Sequence, residues 1–432
     1  MAPSAIPTVA GVTRTPVTKI GVTPDELKGV QVQFWHPWSG ELAKAIDGAV
    51  SEFNGTNIWG ISVSAESRGS ILGIDDAIGS TAAGSLRPQV IAIPPEYIAG
   101  YEGVTPLDDY LQDPQWGFTS QEEADFYPSF WNEGQVAAPR LSIPLLRSMA
   151  VLFYNQGWAK ELGFTQSPST PAEFKTQICA AGKAVAVTGN PDTNGTGGWI
   201  VNTSSSTVYS WLEAYGAVPA LSPNDPQLYN NNNADTAFTY LRKLSDASCA
   251  WVSRNQAPYI YFGGRQALLF SGTLEDLPPL SAAMTYQKNS DGWTVLPYPT
   301  DNPQKTLITF GSSLAILKST PQQQLAAWLF VRWMELPRVQ ARLAAAGSEL
   351  PVRKSALELM ADFAKANSQW AIAAGWLIGK TLPLPVQSWW KVTQRVLEDG
   401  AGQVFQPFLT VDKVPDVLKE LDATVAELMN KK

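Results

Sequence analysis

Residues 29–93 change their apolar period four times, and that rhythm is the strongest constraint on the fold. Residues 29–34 (GVQVQF) alternate apolar and polar. Residues 40–53 then place Leu42, Ile46, Ala49, Val50 and Phe53 on one helical face. Residues 61–65 (ISVSA) alternate again, residues 71–83 return to a helical period, and residues 89–93 (QVIAI) form an apolar run stopped by Pro94 and Pro95. Alternation at a period of two predicts strands, and apolar recurrence every three to four residues predicts helices. A strand–helix–strand–helix–strand order predicts a parallel sheet with helices on its faces. Ser39 is the expected N-cap of the first helix.

The 432 residues exceed what one ordinary core holds, so two domains are expected. Hydrophobic residues make up 44% and charged residues 16%, a globular composition. The net charge is -8 and no basic cluster occurs, so nucleic acid and anionic membrane surfaces are poor partners. No apolar run reaches the ~18 residues that cross a bilayer. Residues 2–25 are rich in Pro, Thr, Val and Gly without apolar periodicity, and residues 1–28 read as an extended tether. Such a spacer would suit a protein outside the cytoplasm, held to a membrane through an N-terminal segment replaced here by an expression start.

Beyond the opening unit, residues 137–154 form a long extended segment interrupted by Pro144. Helices are predicted at 171–186, 207–215, 234–245, 321–334, 337–346, 355–364 and 415–429, and strands at 267–270, 293–297, 307–310 and 313–317. Residues 188–198 read as a Gly/Asn/Pro loop. Two such α/β units, with the chain crossing between them, would place a ligand in the cleft at the strand C-termini.

Several of the 16 tryptophans fall in polar or Gly-rich stretches: FWHPWSG at 34–40, GGW at 197–199 and QSWW at 387–390. An indole in a loop offers a flat apolar face and an N–H donor, which suits a sugar. The alternative for each is burial in a core. Enzyme signatures are mostly absent. No G-x-G-x-x-G, H-E-x-x-H or G-x-S-x-G occurs, and residues 374–381 (AGWLIGKT) miss a phosphate-binding loop at Ala374. The one histidine, His36, has no nucleophile beside it. Two carboxylates suffice for a glycosidase, so Glu41, Glu66, Glu96 and Glu349 stand as loop or element-end acids, with surface carboxylates or caps as the alternative. One histidine and two cysteines exclude a structural zinc site, and no cofactor is expected. Cys179 and Cys249 are either a disulfide or two buried thiols.

Taken in order, these segments resemble the family 1 extracellular solute-binding proteins of ABC importers, in the branch that binds sugars and glycerol 3-phosphate. FWH at 34–36 with GEL at 40–42 resembles the opening strand and first ligand loop. VLFYN at 151–155 resembles the family's L-Y-Y-N segment, and FGGRQAL at 262–268 its F-x-x-G-x-x-A-M segment. FGSS at 310–313 is similar to G-G-x-S, and AWLF at 327–330 with LP at 336–337 and LPVR at 350–353 is similar to the family's late crossing region. The resemblance implies a type II periplasmic-binding-protein-like fold. Each lobe would be a mostly parallel sheet flanked by helices, with the ligand cleft between lobes. Residues 29–147 plus 308–349 would form the first lobe, and 148–307 plus 350–432 the second. It also implies a monomeric receptor that hands its solute to a transmembrane permease.

By position, the resemblance places at the ligand Trp38, Ser39, Glu41, Arg68, Glu96, Arg147, Ser148, Trp199, Ser271, Thr273, Gly311, Glu349, Trp389, Trp390 and Lys391. Glycerol-phosphate binders carry Tyr where Glu349 stands and Arg near Trp389–Lys391, so a sugar or oligosaccharide is the expected ligand and a phosphate ester the alternative. Trp199 and Trp389 or Trp390 would stack on sugar faces, so Trp199→Ala is expected to weaken binding and spare the fold. Arg147 would donate to the ligand or pair with a cleft acid. Cys179 and Cys249 both fall between the first two crossings, which predicts a disulfide. Solute is expected to compact the molecule.

Overall fold

The alternation at 29–34 becomes strand β1 (Gln31–His36), buried from Phe34 onward. The helix Gly40–Thr56 follows and buries the five residues of the predicted face. Next come β2 (Ser62–Ser67), the helix Ile71–Ser80 and β3 (Val90–Ile93). Both β2 and β3 pair with β1 in parallel. All four β3 residues are buried, as expected of a parallel strand covered on both faces. This computed structural model describes residues 19–80, 87–133, 139–190, 193, 195–218, 229–253, 258–302 and 306–430. Residues 1–18 of the expected tether lie outside them. Residues 19–28 dock on the first lobe, with Val22 and Leu27 buried in its core and the Lys19 amide donating to Asp113.

Further along lie β4 (Ile143–Pro144), β5 (Leu146–Asn155), β6 (Gly197–Val201), β7 (Ala250–Val252) and β8 (Ala267–Thr273). Then come β9 (Trp293–Leu296), β10 (Thr306–Phe310), β11 (Ser313–Ile316), β12 (Leu350–Pro351) and β13 (Lys380–Pro383). One sheet has the order β2-β1-β3-β11-β4. The other runs β13-β10-β5-β8-β6-β7, with β9 and β12 also on β5. The molecule is thus two-lobed and mixed α/β. The second sheet departs from the mostly parallel expectation, because β5 runs antiparallel to β8, β9, β10 and β12. Its ten residues are all buried, so β5 is the spine of that lobe.

The helix Pro171–Val187, opened by a Thr170–Glu173 capping box, packs on β6 and carries Cys179. Cys179 is joined to Cys249, at the foot of β7, in a disulfide. The helices Asn232–Asp246, Trp390–Val404 and Val414–Asn430 cover the same lobe around Phe238, Leu397 and Leu418.

The chain passes between the sheets at three neighbouring places. The first links β4 to β5 across Leu145, and the second links β10 to β11 across Gly311 and Ser312. At the third, the left-handed Ser348 ends the helix Pro337–Gly347 and Glu349 leads into β12. These passages touch through their backbones. Leu350 pairs with Arg147, and Phe310 pairs with Ser148. Gly311 adopts φ +151, and a Cβ there would strike the Leu146 carbonyl. Only glycine permits that conformation and that approach.

Candidate functional site

The parallel strands of the first lobe end at a cleft, as strand C-termini do in open α/β sheets. Its volume is about 730 Å³. The first lobe supplies Trp38 after β1, Leu72 at the start of the helix Ile71–Ser80, and Glu96 and Tyr97 after β3. The second supplies Ser206 near the N-terminus of the helix Ser205–Ala214, Glu275 after β8, and Arg395 and Glu398 on the helix Trp390–Val404. Thr309, Phe310, Gly311 and Glu349 form the floor, where the crossings lie.

Carboxylates dominate this cleft. Glu96 is buried, and desolvation pushes its carboxyl up to about 7, with the charge of Glu133 adding and Arg147 opposing. Burial lifts Glu349 well above the ordinary carboxylate range, with Glu275 adding to the effect and Arg147 opposing it. Glu275 opens on the cleft, yet the protein crowding it raises its carboxyl too, against the hydrogen bond from the Ser148 hydroxyl. Glu133 is raised by burial despite its pairing with Arg147, and its Oε1 has no partner. Ionising any of these groups costs desolvation free energy that only a nearby positive charge or hydrogen-bond donors can return.

Arg147 supplies little of that to a ligand. Its Nε donates to Glu133 Oε2 at 2.8 Å, one terminal nitrogen donates to the carbonyls of Leu146 and Ser312 at 2.8 Å each, and the other donates to Ser313 Oγ at 3.1 Å. Of the two roles open to it, this is the internal one: a fully buried guanidinium tying the first crossing to the second.

Of the sequence-predicted residues, Trp38, Glu96, Gly311 and Glu349 line the cleft. Ser148 reaches it indirectly, through Glu275. The others lie elsewhere. Ser39 is exposed before the first helix, and Glu41 pairs with Lys44 at 2.7 Å. Arg68 pairs with Glu66 at 2.7 Å and lies over the Trp35 ring. Thr273 begins a turn held by its amide donating to Asp276. Ser271 accepts from the Trp199 indole at 2.9 Å.

Trp199 requires a correction. It is 1% exposed in β6, walled by Phe174, Trp211 and Phe405. The glycines before it bring backbones together. A Cβ on Gly197 would lie 2.7 Å from the Ala181 carbonyl, and one on Gly198 would run into the Cys249 carbonyl. Trp389 and Trp390 are likewise buried, Trp390 edge-on to Tyr209 at 5.5 Å. Lys391 bridges the two lobes: its ammonium donates to Asp75 and lies 5.1 Å from the Tyr97 ring centroid and 5.8 Å from that of Tyr101.

Sequence reasoning missed Glu133, Glu275, Tyr97, Phe310 and Glu398. Glu275 had a weak signal, since an acid after Thr273 reads as an ordinary cap. Glu133, on the short helix Pro128–Glu133, had none.

The family described as bacterial extracellular solute-binding protein matches residues 48–372. No curated protein matches the chain in sequence. Among solved structures, the sugar-binding protein MalE of Xanthomonas citri is similar at TM-score 0.76 and 21% identity, over 93% of this chain and 98% of that one. UgpB of Mycobacterium tuberculosis, in complex with glycerophosphocholine, is similar at TM-score 0.74 and 17% identity, over 92% and 98%. The maltose/maltodextrin-binding domain MalE of Bdellovibrio bacteriovorus, bound to maltotriose, is similar at TM-score 0.69 and 20% identity, over 93% and 100%.

Proposed function

Because this chain belongs to the bacterial extracellular solute-binding protein family, we propose that it is the substrate receptor of an ABC importer, closing on a carbohydrate and passing it to the permease. The observation that carries the reading is the composition of the cleft. Trp38, Tyr97 and Phe310 offer flat apolar faces, while Glu96, Glu275, Glu349 and Ser206 offer hydroxyl partners from both lobes and the floor. Sugars present both kinds of surface, and acceptors held on opposite walls are satisfied together only when the lobes close. The structural neighbours whose titles name a sugar accord with this.

The ligand contacts we assign are Trp38, Glu96, Tyr97, Ser206, Glu275, Phe310, Gly311 and Glu349. The lobe limits, 29–147 with 308–349 and 148–307 with 350–432, go with this reading. So do a monomeric receptor, a location outside the cytoplasm and an N-terminal tether. No helix among the described residues is long and apolar enough to cross a membrane. Binding without chemistry is the proposed activity.

A phosphate ester is the second reading, carried by the likeness to UgpB. The cleft speaks against it, because a phosphate would meet five carboxylates and Arg147 is consumed internally. A thermal-shift screen followed by calorimetry tests both. Mono- and oligosaccharides are expected to stabilise the protein, and glycerophosphocholine and glycerol 3-phosphate are not. Stabilisation by the phosphate esters alone would replace this reading with the second. Release of reducing ends from oligosaccharides in proportion to protein would replace it with an enzyme.

A further inference from the structure

The charge balance of the cleft is one-sided. Glu96, Glu133, Glu275, Glu349 and Glu398 line it, and among the described residues Arg395 is the one cation on the lining. Arg395 is exposed at the cleft, where its charge acts on Tyr97. Of the nearby cations, Arg147 is bound on every side by Glu133, two carbonyls and Ser313, and Lys391 is taken by Asp75. Among the described residues, Glu398 accepts from the Ser205 amide, Glu133 from Arg147 and Glu275 from Ser148. No side chain among the described residues donates to Glu96 or Glu349, and Glu133 Oε1 is buried without a partner. The Thr309 hydroxyl on the floor is unpartnered as well.

Five carboxylates in one cavity, three of them buried, call for more positive charge than Arg395 on the lining and Arg147 behind it supply. Aromatic faces beside them add to the demand, since an ammonium is held by the ring quadrupole and by the carboxylate at once. Trp38 and Phe310 line the same cleft, whereas the Tyr97 ring already faces the Lys391 ammonium. The cleft gathers no group of three or more metal-ligating side chains among the described residues, so a bound metal ion is a poor fit.

We infer that the carbohydrate this cleft selects carries a protonated nitrogen, as an amino sugar does, with the ammonium seated at Glu349 and Glu275 and the sugar ring on the aromatic faces. This rests on the carbohydrate reading above and narrows it. An ammonium would form charge-assisted hydrogen bonds with carboxylates that a hydroxyl meets with a neutral donor, and such bonds are roughly twice as strong.

Matched pairs differing only in the nitrogen test the inference: glucosamine and glucose, galactosamine and galactose, deacetylated chitobiose and cellobiose. Calorimetry at pH 6, where the amines are charged, is run beside maltose and maltotriose. The expected result is at least one amino sugar binding tenfold or more tighter than its neutral parent, with that preference falling within threefold in E349Q. E275Q gives the same reading from the opposite lobe should E349Q fail to fold. A neutral sugar binding as tightly as any amino sugar overturns the inference and leaves the carbohydrate receptor standing. Binding by no sugar of either kind removes both.

Discussion

Trp199 shows how a side chain's neighbours in space outweigh its neighbours in sequence. Its indole fills the centre of the second-lobe core, with its N–H spent on Ser271. Trp199→Ala should therefore cost about 3–5 kcal/mol of stability, as deletions of large buried aromatics do. Its melting temperature should fall sharply without ligand, and a variant that melts like the parent would return Trp199 to the surface. Glu96 makes the opposite kind of prediction. Burial raises its carboxyl to about 7, above the ordinary unfolded value near 4.3, so the folded state holds the proton that the unfolded state releases. The contribution of Glu96 to the stability of the ligand-free protein should fall as pH rises from about 4.5 to 7 and level off above. Glu133, Glu275 and Glu349 are raised in the same sense. E96Q removes one contributor, so its melting temperature at pH 8 should exceed that of the parent, with little difference at pH 5. Equal slopes in the two proteins would show that Glu96 ionises as freely as in water.

At the scale of elements, the disulfide between the helix Pro171–Val187 and the foot of β7 spans a separation of 70 residues. Loop-closure entropy over that length amounts to ~4 kcal/mol. Reduction and alkylation of the unfolded chain, followed by refolding, should give a protein with a clearly lower denaturation midpoint. An unchanged midpoint would mean that the pair adds nothing. The regular elements were the legible part of the chain. The first three strands and two helices follow from apolar period alone, and the passages at Leu145, Gly311–Ser312 and Glu349 lie within a few residues of the lobe limits expected at 147, 307 and 349. The cleft was legible only where it lies at an element's end, as with Trp38, Glu96 and Glu349. Glycines misled at 197–198, since a glycine that admits a ligand and one that admits a neighbouring backbone look alike in one dimension. Trp389 and Trp390 misled because Gln387 and Ser388 read as a polar loop, whereas the indoles open a helix and turn inward. Arg147 was ambiguous because its Glu133, Ser312 and Ser313 partners arrive from other passages of the chain.

For the whole molecule, the question is how far apart the lobes rest when the cleft is empty. Lys391 of the second lobe reaches Asp75 of the first on the rim of the cleft, and Gln394 reaches the Tyr97 hydroxyl at 3.4 Å. Asp75 also accepts from Tyr101, so one carboxylate holds two donors. Lys391→Ala should therefore enlarge the radius of gyration of the ligand-free protein in small-angle scattering, and saturating ligand should bring it back to the wild-type liganded value. Identical scattering from the two empty proteins would show that the tie bears no load. A half-screened ion pair of this kind contributes about 1 kcal/mol, which is roughly a fivefold bias between two positions. That figure carries a consequence for transport as a process. A permease reads the outline of its receptor, so every empty receptor that rests shut is a false signal at the membrane and occupies a dock that a loaded one needs. A fivefold bias leaves the loaded and empty populations distinguishable, whereas a tie several times stronger would blur them. The same bias sets a toll on entry, because solute must wait for the rim to part. In stopped-flow tryptophan fluorescence, Lys391→Ala should thus capture solute faster than the parent, and equal capture rates would mean that the rim is no barrier.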